Sequence, residues 1–164
     1  MLAIRRVPLD LPADLPRPDD VAPAPPGSAS AATEWTFPDS PIAFHADATE
    51  HRAVAGAFEQ LGPVTDWIRL TVPVVADRPP SPFQRVLAAA DFLNGVSNVV
   101  SPVEWTFINP DLTVTLHRLP VGEWVAIDAV TRLADDGTGT AEADLFDEHG
   151  RLGRAVQTLL FEAR

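Results

Sequence analysis

"VLAAADFLNG", residues 86–95, is apolar nearly throughout and then carries a carboxylate at Asp91. The start of this helix is well marked. Ser81 is a suitable N-cap, Pro82 fits the first helical position, and Gln84 completes a capping box. Asn94-Gly95 is a suitable stop. Leu87, Ala88, Ala89, Ala90, Phe92 and Leu93 leave almost no polar face, which predicts a helix covered on most sides. A buried, unpaired carboxylate is expensive, so Asp91 reaches water, or pairs, or is there for chemistry.

Strands flank this helix. "PIAFHADAT" (41–49) and "AVAGAF" (53–58) read as one interrupted strand region. In "DWIRLTVPVV" (66–75), Ile68, Leu70 and Val72 share one face and Trp67, Arg69 and Thr71 the other. After the helix, "EWTFI" (104–108) runs on into "LTVTLHR" (112–118). Then come "EWVAIDAVTRL" (123–133), "TAEADLFD" (140–147) and "RLGRAVQTLLFEA" (151–163). The turns "ADDGTG" and "DEHG" are ordinary hairpin chemistry. One helix followed by an antiparallel meander predicts an α+β fold, a curved sheet wrapped around one long helix.

Residues 1–39 differ from the rest. "DLPADLPRPDDVAPAPPGSASAA" (10–32) has linker composition, which predicts an extended, weakly packed stretch ahead of a folded unit at 40–164. Deleting residues 1–34 is then expected to cost little stability.

Composition excludes several functions. The chain has 164 residues and a net charge of −11, which argues against phosphate-backbone binding and against an anionic membrane surface. It has no cysteine, so disulfides, thiolate metal sites and Cys nucleophiles are excluded. No signal peptide or membrane-length apolar run is legible, so a soluble cytoplasmic protein is expected. No hydrolase elbow, phosphate-binding loop, dinucleotide fingerprint or zinc-protease motif is present, and the four histidines are scattered. No metal and no cofactor is expected.

Two further polar residues share Asp91's interest. Gln157 alternates with Ala155, Leu159 and Phe161, so it points into the same layer as the helix, whereas Arg154, Val156, Thr158 and Leu160 point away. A Gln amide can donate to a carboxylate. The pair either satisfies itself or holds a water. Asn109, in "FINPDLTV", is a turn residue before Pro110 or a third polar group at a strand entry.

These segments, taken in order, resemble the second half of the acyl-CoA thioesterase II family, double-hotdog thioesterase-like proteins. The matching pieces are the helix with Asp91-Phe92, the strand with His117-Arg118, the Gly122-Glu123-Trp124 step, and the final strand with Val156-Gln157. The resemblance covers roughly residues 40 to 164. It implies a hotdog fold and hydrolysis of acyl-CoA thioesters. It places the family's catalytic Asp on Asp91, its Gln on Gln157, and its hydroxyl position on Asn109, a departure. Together these residues would hold the attacking water, with a partly buried Asp91 as the base. Coenzyme A belongs to the substrate, with Arg85, Arg118 and Arg154 as possible phosphate partners.

"LAIRRVPLDLP" resembles the end of the family's first hotdog unit. The expectation is therefore a homodimer, or a first half that this chain lacks. The alternative reading is a non-catalytic acyl-CoA-binding or structural half-unit. A hotdog hydratase fits poorly, because Phe107 and Leu112 stand where that class has Asp and His.

Overall fold

The computed structural model describes residues 9–18, 20–29 and 43–164. A 3-10 turn, Pro26–Ser28, precedes a one-turn helix α1, Phe44–Asp47. Two strands follow, β1 (Thr49–Ala55) and β2 (Val64–Leu70), then helices α2 (Pro82–Ala90) and α3 (Leu93–Val96). Five strands complete the chain: β3 (Trp105–Ile108), β4 (Thr113–Leu116), β5 (Val125–Leu133), β6 (Thr138–Asp147) and β7 (Gly150–Ala163). All pair antiparallel in one sheet, in the order β1-β2-β5-β6-β7-β3, with β4 also on β7.

The inner face of this sheet wraps α2 and α3, the hotdog arrangement. Val86, Ala89, Ala90, Leu93 and Val96 from the helices pack on Val64, Ile68, Val125, Ile127, Leu145, Leu152 and Leu159. The alternation expected for β7 is present. Ala155, Gln157 and Leu159 are buried, while Arg154, Thr158 and Leu160 are exposed. A register shift opposite Leu145 and Phe146 lets Leu152 also point inward. Gly153 sits at this bulge, where a Cβ would run into the Thr115 carbonyl on β4.

Several local expectations need correction. "PIAFHADAT" holds no strand over its described residues before Thr49. Phe44–Asp47 form a helical turn, with Asp47 Oδ2 accepting the Ala43 N–H at 2.7 Å. Residues 41 and 42 lie outside the described residues. β2 ends at Leu70, and Val72, Val74 and Val75 are exposed, because Pro73 interrupts any ladder there. β3 and β4 are separate strands, parted by a turn at Asn109–Leu112. The central helix is not one long helix, since α2 stops at Ala90 and α3 restarts at Leu93.

Residues 20–28 of the Pro-rich stretch lie on the outer face. Trp67 is fully buried there, and its Nε1 donates to the Ala24 carbonyl at 2.8 Å. Pro26 is buried, and the 3-10 turn contacts β1. At the other side, the Asp20 carbonyl sits 2.6 Å from where a Gly150 Cβ would be, on β7. From Asp20 to Ala24 an extended chain reaches about 13 Å. Three strand spacings, β7 to β2, are about 14 Å. The segment is thus long enough, when extended, to cross from β7 to β2, with Asp20 at Gly150 and Ala24 at Trp67. Across this row Trp67 faces Ala126, which is fully buried outside the core cluster and leaves room for the strap. Residues 9–18 are exposed, whereas in 20–26 Pro26 is buried and Asp20, Ala22 and Pro23 are half-buried.

Arg118 closes the end of the sheet. Its Nη1 and Nη2 donate to the buried Asp147 carboxylate at 2.5 and 2.6 Å, and Nη2 also donates to the Gly150 carbonyl at 2.8 Å. The Val121 and His149 N–H groups donate to the same carboxylate. Burial alone pushes the Asp147 carboxyl up, but Arg118 and these two N–H groups together hold it below its ordinary value of 3.8.

A depressed folded pKa contributes stability that is present above the unfolded value and lost as pH falls through the folded one. Thermal melts should therefore lose stability below about pH 4, and Asp147→Asn should flatten that acid limb while lowering stability at neutral pH. Arg118→Met, which strands the buried carboxylate, should cost on the order of 3 kcal/mol by chemical denaturation. Trp67→Ala should lower the melting temperature by several degrees and make residues 20–29 a new site of proteolytic cleavage.

Candidate active site

The capping box begins the site. Gln84 N–H donates to Ser81 Oγ at 3.2 Å, and Ser81 N–H donates to Gln84 Oε1 at 2.8 Å. This anchors the rotation of α2. Val86, Ala89 and Ala90 then face the sheet. Phe83, Leu87 and Asp91, spaced four apart, lie on the opposite stripe and are exposed among the described residues. Phe83 retains 51% of its surface and Leu87 37%. The expectation of a helix covered on most sides, with Asp91 partly buried, is corrected here: Asp91 reaches water.

Asp91 also sits where the helix breaks. Helix ends leave main-chain groups without partners. Gln157, fully buried on β7, supplies them: Nε2 donates to the Asp91 carbonyl at 3.3 Å, and Oε1 accepts the Asn94 N–H at 3.3 Å. The expected side-chain pair is therefore a side-chain-to-backbone bridge. Gln157 holds the turn that carries Asp91 and does not bind its carboxylate.

Asn109 completes the convergence. It is half-buried at the end of β3, and its Nδ2 lies 3.5 Å from Asp91 Oδ1, the outer limit of a hydrogen bond. The same Nδ2 lies 3.4 Å from the Asp111 carbonyl, so Asn109 is also a turn residue. Three elements 18 and 66 residues apart in sequence from Asp91 thus meet at one turn.

Asp111 was not singled out by sequence. Its carboxylate accepts the Thr158 hydroxyl at 2.6 Å and the Thr158 N–H at 3.0 Å. These bonds, the hydroxyl's first, hold the Asp111 carboxyl below its ordinary value. They fill the gap on β7 between the residues paired to β4 and those paired to β3. Asp111 therefore pins the Asn109 turn beside Gln157. The signal available in sequence was an acidic residue directly after Asn-Pro, a turn composition.

The three arginines do not converge. Arg118 is committed to Asp147. Arg154 lies on the sheet's outer face, away from Asp91, with Nε 3.2 Å from Asp144 Oδ1. Arg85 donates to the Gly122 carbonyl at 2.6 Å and is the one of the three on α2. No cluster with metal-ligand geometry occurs among the described residues. No helix among them is long and apolar enough to cross a membrane. A groove of about 460 Å³ runs beside the open stripe, lined by Leu70, Val72, Val74, Gln84, Leu87 and Ala88.

Replacing Gln157 by Leu, close in size but unable to bond, should leave a buried C=O and N–H unpaired and cost about 2 kcal/mol, read by chemical denaturation. Loss confined to Asp91-dependent activity with no stability change would contradict the bridge.

The family model described as acyl-CoA thioesterase C-terminal domain matches residues 13–161. No curated protein sequence matches significantly. Among solved structures, the acyl-CoA thioesterase II TesB2 of Mycobacterium marinum is similar with a TM-score of 0.51 at 21% identity. The match covers 84% of this chain and 57% of that one. A mutant of thioesterase PA1618 of Pseudomonas aeruginosa gives a TM-score of 0.53 at 15% identity, covering 70% of this chain and 82% of that one. Thioesterase HI1161 of Haemophilus influenzae gives 0.52 at 14% identity, covering 69% and 78%. At these identities the solved structures establish the hotdog fold alone.

Proposed function

The chain belongs to the acyl-CoA thioesterase C-terminal domain family, and from that premise we propose that it hydrolyses acyl-CoA thioesters at the Asp91 turn. The observation that carries this reading is the meeting of Asp91, Asn109 and Gln157 at the break in the central helix.

The chemistry needs little more than a placed water and a base. A thioester carbonyl is electrophilic, and positioning supplies much of the barrier reduction. A water between Asp91 and Asn109 would donate to the Asp91 carboxylate and accept from Asn109 Nδ2. Its oxygen adds to the carbonyl carbon as Asp91 takes the proton. The C–S bond then breaks, and the departing sulfur takes a proton back, giving a free acid and CoA thiol. Gln157 acts by fixing the turn. In this reading Asn109 orients the water as a donor.

The open stripe bears on what completes the site. Phe83 and Leu87 expose apolar surface on the helix stripe that ends at Asp91, and Val72 and Val74 do so across the groove from Leu87. Such a patch fits a covering second hotdog unit, supplied by a second copy or by another half. Covering would remove water from the Asp91 side and strengthen each interaction there. Of the three arginines, the proposal keeps Arg85, which shares α2 with the Asp91 turn, as the partner of a CoA phosphate; Arg118 is committed to Asp147.

The alternative, a half-unit that binds acyl-CoA without turnover, rests on Asn109 standing in the hydroxyl position. One assay separates the two. Thiol release should be followed with a panel of acyl-CoAs. Asp91→Asn should lower kcat by about 100-fold or more with the fold intact by circular dichroism. Asn109→Thr should raise kcat. Tight CoA binding without turnover at any chain length, in both the wild type and Asn109→Thr, would establish the alternative.

A further inference from the structure

A second polar cluster lies under the same turn, on the inner face of the sheet. His51 on β1 and Asp66 on β2 are each about 2% exposed. His51 Nδ1 lies 2.6 Å from Asp66 Oδ2, and Nε2 lies 2.9 Å from Thr49 Oγ1. Asp66 also accepts the Arg52 N–H, and desolvation, against the His51 bond, leaves its carboxyl raised. An ionisable pair buried this deeply is rarely better for stability than apolar residues of the same size.

Counting protons excludes one role. The Thr49 hydroxyl donates to the His45 carbonyl at 2.6 Å. Its oxygen can therefore only accept from His51 Nε2–H. His51 then cannot withdraw a proton from Thr49, so the Asp–His–Thr chain is not a nucleophile triad. It is a brace: both ring nitrogens are fixed, and one proton is shared between Nδ1 and Asp66.

What the brace holds is Phe92. The His51 ring meets Phe92 edge-on, with centroids 4.9 Å apart at 89°. Phe44 stacks on Phe92 with centroids 6.1 Å apart. Phe92 directly follows Asp91 and forms the joint between α2 and α3. Gln157 grips the same joint from β7. The turn is thus held from both sides of the curved sheet, by backbone hydrogen bonds on one and by an oriented aromatic contact on the other.

We propose that His51, fixed by Asp66 and Thr49, is a positioning residue that acts through Phe92 to set the turn carrying Asp91. The role in catalysis rests on the thioesterase reading above; the mechanical coupling does not. An aliphatic residue at position 51 would fill the space without fixing the ring plane, and Asp91 would sample several positions against the water. Small displacements of this kind cost rate more than binding.

The test uses the full chain with Phe92→Leu, Phe92→Tyr and His51→Asn. Acyl-CoA turnover is combined with amide NMR of the Asn94 backbone and the Gln157 side chain. Phe92→Leu and His51→Asn should each lower kcat about tenfold with KM within about twofold, and both should move the Asn94 and Gln157 resonances. Phe92→Tyr, which keeps the ring, should restore kcat and the resonances. If His51→Asn does not fold, Phe92→Leu carries the same comparison, since it exchanges one apolar group for another. Unmoved resonances in the folded variants would overturn the coupling. Moved resonances with unchanged kcat would overturn the positioning role. A wild type without turnover would instead count against the thioesterase reading, and the resonances would still decide the coupling.

Discussion

One buried amide makes the rest of this site necessary. A helix that stops inside a curved sheet presents main-chain groups where water does not reach. Gln157 meets them with one donor and one acceptor, to the Asp91 carbonyl and the Asn94 N–H. Because it does so, α2 can end at Ala90 while the backbone continues through the core into α3. The break turns the chain so that Leu93 and Val96 still pack inward while Asp91 faces out. A straight helix through the same residues would need no such amide on β7.

The fold was largely legible because its signals are local. The capping box at Ser81 needs only four residues, and the hairpins of β5, β6 and β7 follow from period-two alternation and turn chemistry. Misreadings came where a local pattern was ambiguous. Val72, Val74 and Val75 have strand propensity but flank Pro73 in an exposed stretch. Phe44–Asp47 carries apolar residues in a turn too short to show a helical period.

The residues of the proposed site can be named from sequence; their wiring cannot. Asp91 and Gln157 stand out as polar residues in apolar company, while Asn109 reads as a turn residue before Pro110 and gains a site role only through the family resemblance. That Gln157 bonds main-chain groups could not be read there, because sequence patterns report which face a side chain is on and not which atom it meets. Asp91's exposure was hidden by its neighbours: Phe83 and Leu87 are apolar yet lie on the open stripe. Arg118 looked free because Asp147 is 29 residues away in sequence. His51 looked isolated for the same reason, with Asp66 fifteen residues distant.

The strap across Trp67 limits how this unit can associate. A sheet with an uncovered outer face could stack on another sheet over a broad apolar area. Here Asp20 to Pro26 already occupy that face, and the groups around them include Arg52 and Arg69 over Trp124. Such a surface is crossed by proline-rich backbone and fringed with ion pairs of Arg52 and Arg69 with Glu50 and Glu123, which suits solvent better than a second sheet. Neighbours are thereby directed to the helix stripe or the sheet edges, so the proline-rich crossing, far from Asp91, biases contact toward the side on which Asp91 lies.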